Sequence, residues 1–107
     1  MTNFISTGST YWIPDEEIQI LEKNATNRDK NSAFKLYQYH MFVSLDQDLE
    51  FKWLEIAAKN GHPIAQSNLA DLFFTQGNKE KAIFWAKKAY RNGAKLPDEL
   101  KILININ

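Results

Sequence analysis

The sequence contains no cysteine, which excludes disulfide bonds and any chemistry that needs a thiol. It also lacks an excess of basic side chains, because thirteen Lys and Arg are matched by thirteen Asp and Glu. Proteins dedicated to nucleic acids or to anionic membranes normally carry such an excess, so we expect neither partner. No apolar run approaches the roughly 20 residues of a membrane span. The stretch MTNFISTGSTYWIP has neither the basic start nor the apolar core of an export signal, so we expect a cytoplasmic protein.

The motifs of the common catalytic classes are missing as well. There is no HExxH zinc motif, no glycine-rich phosphate loop and no Gly-x-Ser-x-Gly. The run Asp46, Asp48 and Glu50 lacks the glycine and the closing glutamate of a calcium loop, and it predicts a solvated helix start. We therefore predict that the protein is not an enzyme and has no cofactor and no metal.

The two histidines are the candidates for proton transfer near neutral pH. His62 follows Asn-Gly and precedes proline, and this position predicts a residue at a turn or helix start. His40 is expected to replace a partly buried aromatic residue and to be hydrogen-bonded, with a role at a binding surface as the alternative.

The charges are distributed unevenly along the chain. Residues 1–58 hold nine acidic and five basic side chains, and residues 59–107 hold four and eight. This is either ordinary surface variation or a device that steers a partner to one end. Basic residues concentrate around the predicted fifth helix without an aromatic platform among them, which favours a solvated face over nucleic-acid binding: Lys79, Lys81, Lys87, Lys88, Arg91 and Lys95.

Apolar residues recur every three or four positions, the period of an α-helix, and proline is absent from residues 15–62. The predicted helices cover 14–27, 31–43, 48–60, 63–76 and 79–92, and 97–103 forms a last short helix or extended cap. The closing segment ILININ has β propensity, but a single strand would have no partner. The sequence therefore predicts an all-α fold.

Two predicted helix pairs repeat one another. At a shift of 32 residues, Trp53 falls on Trp85 and Gly61 falls on Gly93, while Leu36 falls on Leu69 at a shift of 33. A period of this length, made of two helices, is typical of a helical solenoid, with an ordinary small bundle as the alternative. Small residues allow the helices of a pair to approach closely, and four alanines can serve as these crossing points: Ala70, Ala82, Ala86 and Ala89.

The stretch KWLEIAAKNGHPIAQSNLADLF resembles the junction between Sel-one-like repeats, a class related to tetratricopeptide repeats. The matching positions are Trp53, Ala57, Ala58, Gly61, Ala65, Leu69 and Phe73, with Ala70 in place of the family's glycine. The first repeat departs from the pattern, because Tyr37 and Glu50 stand where small residues are expected, and this argues against close packing of its helices.

The resemblance implies a short α-solenoid of about two repeats between capping helices, because fewer than three repeats rarely stand alone. The expected organisation is a flexible arm at 1–12 and a helical-repeat domain at 13–107, divided into a capping helix (13–27), repeat 1 (31–62), repeat 2 (63–94) and a C-terminal cap (95–107).

In tetratricopeptide-like hairpins the first helix of each pair lines the concave side. With Leu36 and Leu69 taken as inward-facing, the predicted partner-binding residues are Asn31, Phe34, Gln38, Met41, Ser67, Asp71 and Phe74. Phe34, Met41 and Phe74 would be exposed apolar side chains in a groove. The alternative is that the N-terminal helix or arm, with Tyr11 and Trp12, covers them.

The resemblance implies a non-enzymatic protein-binding module. Small bacterial members of the class resemble immunity proteins, and a short chain without an attached domain favours one dedicated partner. The partner that the resemblance implies is a bacterial toxin domain. The alternatives are an adaptor in signalling or protein quality control and a self-assembling structural unit. The oligomeric state is expected to be a monomer or a weak homodimer.

Overall fold

A computed structural model describes residues 10–105, and over this range the chain is all-α without a strand. Its six helices are α1 (Asp15–Thr26), α2 (Lys30–Phe42), α3 (Gln47–Lys59), α4 (Pro63–Thr75), α5 (Lys79–Arg91) and α6 (Asp98–Leu103). The predicted all-α class is confirmed, and the predicted helix ends differ from the observed ones by at most one residue.

Short polar side chains begin four of the helices by accepting hydrogen bonds from otherwise unpaired backbone N–H groups. Asp29, Asp46 and Asn78 do this for α2, α3 and α5. At α4 the cap is His62, whose Nδ1 accepts from the N–H of Ala65 at 3.3 Å. The predicted helix-start roles of Asp46 and His62 are confirmed.

Glycine ends α3 and α5 in the left-handed conformation that a β-carbon disfavours. Gly61 has φ +101° at the end of α3, and Gly93 has φ +91° at the end of α5. Beyond Gly61, the N–H of His62 donates to the carbonyl of Ala57 at 3.0 Å. This hydrogen bond satisfies a carbonyl of the last helical turn and turns the chain sharply into α4.

The helices pack mainly against their neighbours in sequence. α2 and α3 form one hairpin, α4 and α5 form a second, and α3 joins the two through its contact with α4. α1 packs on the first hairpin and α6 on the second. α2 and α4 have the same length and begin 33 residues apart, while α3 and α5 have the same length and begin 32 residues apart. The molecule is elongated, with extents of 49 × 31 × 24 Å.

The core is built from alanines at the helix crossings and leucines between them. The four predicted crossing residues, Ala70, Ala82, Ala86 and Ala89, are completely buried. Leu36, Leu69 and Leu100 are the largest side chains that solvent does not reach. Trp53 is buried, whereas Trp85 is partly buried at the border of the core.

The expectation of a loosely packed first hairpin is wrong, because α2 lies against α3 as extensively as α4 lies against α5. Tyr37 does not separate the two helices. Its ring lies 5.3 Å from that of Phe34, and its hydroxyl accepts a hydrogen bond from Nδ2 of Asn68 on α4 at 3.4 Å. The large side chain thus points towards the second hairpin.

Amide side chains connect successive helices at the same end of the molecule. Asn60 donates from Nδ2 to the carbonyl of Ala25 at the end of α1. Gln66 donates from Nε2 to the carbonyl of Ala58 on α3 and accepts at Oε1 from Asn92 Nδ2, 2.9 Å away. Gln66 is buried, so these bonds satisfy polar atoms that water does not reach.

Candidate functional site

The first helix of each hairpin presents one row of side chains that neighbouring helices leave wholly or partly exposed. The two rows lie at equivalent positions of α2 and α4. Within each row the residues are three or four positions apart, so they share one face of the helix. We call them together the α2/α4 strip, which consists of Asn31, Lys35, Gln38, Phe42, Ile64, Asn68, Asp71 and Thr75.

A groove of about 790 Å³ lies between the start of α4 and the link from α5 to α6. Its lining combines apolar side chains, hydrogen-bonding groups and one ammonium group: His62, Pro63, Ile64, Ser67, Asn68 and residues 93–97. The volume is within the roughly 300–1,000 Å³ of ligand sites, but no group of titratable side chains converges on it that would suggest catalysis.

A smaller groove of about 320 Å³ lies on the other side of the α4 row. It is lined by Tyr37, Glu50, Leu54, Asn68, Asp71, Leu72 and Thr75. Asn68 belongs to both grooves, and its amide is held by the hydroxyl of Tyr37. The exposed row of α4 is therefore a ridge with a depression on each side, a shape suited to contact with a larger molecule.

The seven predicted partner-binding residues are not equally accessible. Asn31 and Asp71 are exposed, Gln38 is partly buried, and Ser67 is buried with 7% of its surface exposed. Three of the seven belong to the α2/α4 strip: Asn31, Gln38 and Asp71. Whether these three contact a partner stays a prediction.

The three large apolar residues are less exposed than expected, because each is partly buried. Phe34 stacks on the ring of His62, with centroids 4.0 Å apart and planes 14° from parallel. Met41 packs on the core cluster around Leu36, and Phe74 packs on that cluster and on the one around Leu100. These contacts bury part of each side chain against the core or the start of α4.

Residues preceding α1 partly cover one end of α2. Tyr11 stacks on Phe42, with ring centroids 4.5 Å apart, and residues 10–13 line a cavity of about 320 Å³ together with Glu17, Lys35 and Gln38. The described part of the arm therefore covers this end of α2, and it lines neither of the two grooves beside α4. The predicted flexible arm at 1–12 otherwise falls outside the described residues.

Sequence reasoning missed five members of the strip: Lys35, Phe42, Ile64, Asn68 and Thr75. The predicted face was rotated about the helix axis by about half a residue, towards the side that packs on the neighbouring helix. The buried residues of α2, Ala33, Leu36 and His40, define its inward side more accurately than Leu36 alone. The face opposite it carries Asn31, Lys35, Gln38 and Phe42.

A second misjudged surface is the outward face of α5, where we expected no aromatic platform among the basic residues. Phe84 is 53% exposed and lies within this group. Lys88 Nζ is 5.4 Å from its ring centroid. The sequence already places these residues on one face of α5 by their spacing. Only the structure shows that this face points outward.

The two histidines are structural in their immediate contacts. His40 is buried and its Nδ1 is hydrogen-bonded to Ser44 Oγ at 2.7 Å, so its predicted burial and hydrogen bond are confirmed. Burial lowers the pKa of His40, and burial followed by the nearby Lys30 ammonium lowers the pKa of His62. Between residues 10 and 105, no three His, Asp or Glu side chains are grouped so that they could hold a metal ion.

None of the helices described here is both long and apolar enough to cross a membrane.

Comparison with known proteins gives one relative. Over 95 residues the chain is 32% identical to "Uncharacterized protein YibG" of Escherichia coli strain K12. The match covers 82% of this chain and 62% of that protein, so the chain spans less than two thirds of its relative. No family model matches the chain, and no solved structure matches it. Membership of the Sel-one-like repeat class therefore stays a prediction.

Proposed function

We propose that the chain is a non-enzymatic protein-binding module, a short α-solenoid of two Sel-one-like hairpins with α1 and α6 as caps. Two hairpins with helices of equal length at intervals of 33 and 32 residues support this architecture. The two hairpins also end alike. Trp53 precedes Gly61 by the same number of residues as Trp85 precedes Gly93.

The observation that carries the proposal is the composition of the α2/α4 strip. It places two exposed apolar side chains, Phe42 (43% exposed) and Ile64 (54% exposed), among amide, hydroxyl and charged groups. Protein interfaces combine apolar anchors with a hydrogen-bonding rim in this way. The two grooves beside α4 add concave surface into which a partner's side chains can fit.

Within this class we propose an immunity-type protein that binds and blocks a cognate bacterial toxin. The mechanism is steric: a partner that occupies the strip and its grooves cannot present the same surface to its substrate. The acidic excess of residues 1–58 would accelerate the encounter if the toxin is basic. An adaptor would use the same strip but would bind several unrelated partners.

The test is to co-express the chain with each protein encoded next to it and to measure growth. An immunity protein restores growth that a neighbouring protein arrests. Ile64→Glu should remove this protection, because it places a charge at the apolar centre of the α4 row beside the large groove. If no neighbouring product arrests growth, the immunity proposal is wrong. If protection survives Ile64→Glu, the assignment of the strip as the binding surface is wrong.

Ile20→Glu is the matched control for this experiment. Ile20 on α1 is 58% exposed, close to the 54% of Ile64, and is not part of the strip. The two variants carry the same chemical change with a similar expected effect on stability. Protection lost in both variants would indicate a general loss of folding, which circular dichroism would detect independently.

A self-assembling unit is the second candidate, and the opposite net charges of residues 1–58 and 59–107 favour it. Light scattering over a range of concentrations separates the two. A constant monomer mass contradicts assembly, whereas a mass that keeps rising with concentration contradicts a dedicated one-partner module.

A further inference from the structure

The outward side of α5 forms a continuous surface of basic and aromatic side chains. Residues at spacings of three and four share one helix face. This surface, which we call the α5 basic face, consists of Lys81, Phe84, Lys87, Lys88 and Arg91. It shares no residue with the α2/α4 strip, so its function can be tested separately.

The charges of α5 are predominantly positive. The helix contains five basic residues and a single acid, Glu80. The ion pairs formed within residues 10–105 involve Lys35, Lys59 and Lys101, and none involves a basic residue of α5. Lys87 and Arg91 are one helical turn apart, an arrangement of like charges that is unfavourable without a counter-charge. The helix therefore holds a positive surface in a chain whose total net charge is zero.

The exposed Phe84 ring lies within this positive surface, beside the partly buried Trp85. Phe84 meets Trp85 edge to face, with ring centroids 5.1 Å apart and planes at 89°. The Lys88 ammonium is 5.4 Å from the ring centre of Phe84 and 6.0 Å from that of Trp85. The aromatic carbon exposed here lies beside cations rather than merging with the core, which is the arrangement of an apolar anchor inside a charged rim.

We propose that the α5 basic face binds an acidic segment of a partner protein and that Phe84 receives an apolar side chain of this segment. Carboxylates of the partner would supply the counter-charges that Lys81, Lys88 and Arg91 lack. Burial of the Phe84 ring would provide affinity that does not depend on salt. The partner segment that fits this face carries acidic and apolar residues that alternate or lie next to each other in its sequence.

Two other occupants fit the face less well. Sequence-tolerant binding of single-stranded nucleic acid uses several aromatic rings for successive bases, and only Phe84 on this face is more than half exposed. The acidic α1 of a second copy is complementary in charge, but a contact between α1 of one copy and α5 of the next joins different surfaces, so it forms a ring or a filament unless a second, reciprocal contact closes a dimer.

The experiment is a selection of short random peptides displayed on phage against the full chain, with counter-selection on the double variant Lys81→Glu, Lys88→Glu. The expected sequences carry Asp or Glu beside a leucine or an aromatic residue. The best peptide is then synthesised, and its dissociation constant is measured by fluorescence anisotropy. We expect Phe84→Ala and Lys88→Glu each to weaken binding about tenfold or more, as for anchor and charge contacts of interfaces.

Lys23→Glu is the matched control, because Lys23 is an exposed lysine on α1, outside the face. It should leave the affinity for the peptide within about twofold, in line with surface charges distant from a contact. Circular dichroism of every variant verifies that helicity is retained. Increasing the salt concentration should weaken the peptide complex of the wild type more than that of Lys88→Glu.

Three results would overturn the proposal. The first is a selection that returns no acidic sequences, or peptides that bind the Phe84→Ala and Lys88→Glu variants as well as the wild type. The second is tight binding of a thymidine oligonucleotide that the same variants abolish. The third is a rise in the mass of the wild type with concentration that Lys88→Glu removes, since this would assign the face to a second copy.

Discussion

Arg28 ends α1 in a backbone conformation that glycine provides at the ends of α3 and α5. Its φ is +75°, and the N–H of Asp29 donates to the carbonyl of Asn24 at 3.0 Å, the same closing bond that follows Gly61. A left-handed conformation costs a residue with a β-carbon about 1–2 kcal/mol, offset in part by the greater freedom of glycine in the unfolded chain.

We expect Arg28→Gly to raise the free energy of unfolding by about 0.5–1 kcal/mol, since it removes this conformational cost. Gly61→Ala should lower it by about 1 kcal/mol for the converse reason, although open space surrounds the position of the new methyl group. Urea denaturation followed by circular dichroism measures both changes. A destabilised Arg28→Gly variant would mean that the arginine side chain makes a stabilising interaction larger than the backbone cost.

From the two histidines we expect the free energy of unfolding to fall on acidification. Burial lowers the pKa of both residues in the folded state below the unfolded value of 6.5. At His40 the carboxylates of Asp46 and Glu22 act in the opposite direction and the Lys52 ammonium acts in the same direction. The unfolded chain therefore takes up these protons first. The contribution of both residues is complete above about pH 6.5 and is lost as the pH falls through the folded-state pKa values.

The measurement is the urea midpoint between about pH 7.5 and pH 5.5, a range in which histidine titrates in unfolded chains. We expect a decline for the wild type and a flatter profile for the double variant His40→Phe, His62→Asn. Asparagine can still cap α4, and phenylalanine removes the Nε2 atom that has no hydrogen-bond partner among the described residues. An unchanged decline in the double variant would show that other groups cause the pH dependence.

At the level of the helix pairs, Gln66 is the connection between α3, α4 and α5. Its amide group bonds the carbonyl of Ala58 and the side chain of Asn92 while only 2% of its surface is exposed. Replacing it by an apolar residue removes both hydrogen bonds, although the carbonyl of Ala58 keeps the bond from the N–H of Gly61 and the exposed Asn92 can turn to water. The expected cost is therefore the net contribution of two hydrogen bonds, about 0.5–1.5 kcal/mol each.

Gln66→Leu should therefore lower the free energy of unfolding by about 1–3 kcal/mol. Gln19→Leu is the matched control, because Gln19 is exposed on α1 and no hydrogen bond of its side chain within residues 10–105 would be lost. The control should change the free energy of unfolding by no more than about 0.5 kcal/mol. Equal effects in both variants would contradict a stabilising role of the Gln66 amide.

The extent of each helix followed from local chemistry that the sequence displays. Asp29, Asp46 and Asn78 can start a helix, and Gly61 and Gly93 can end one, without help from distant residues. The outward face of each helix did not follow as well. A rotation of half a residue moves Phe34 or Phe74 from a solvent-facing row to a helix contact, and only the position of the next hairpin decides between them.

For the whole molecule, α6 closes the open end of the second hairpin. Leu100 is completely buried in a cluster with three alanines of α4 and α5, although α6 has only six residues. A helix of this length is unstable alone, so its packing must hold it in place. The short cap thereby protects a surface that would otherwise expose the helix crossing.

We expect Leu100→Ala to lower the free energy of unfolding by about 2–5 kcal/mol, as for other buried leucines. Ile102→Ala provides the control on the same helix, because Ile102 is 71% exposed. Its effect should stay within about 0.5 kcal/mol. Denaturation experiments on the two variants would contradict the capping role of α6 if their free energies of unfolding were the same.

The sequence by itself determined the all-α class, the six helices and the positions of their turns, because hydrophobic period, helix caps and glycines act over a few residues. Only the tertiary structure decided which side chains remain accessible. Ser67 is buried and Phe74 packs against both core clusters, whereas Ile64 and Phe84 stay exposed. Accessibility depends on the packing of all helices together, and for this reason no single segment of the sequence could reveal it.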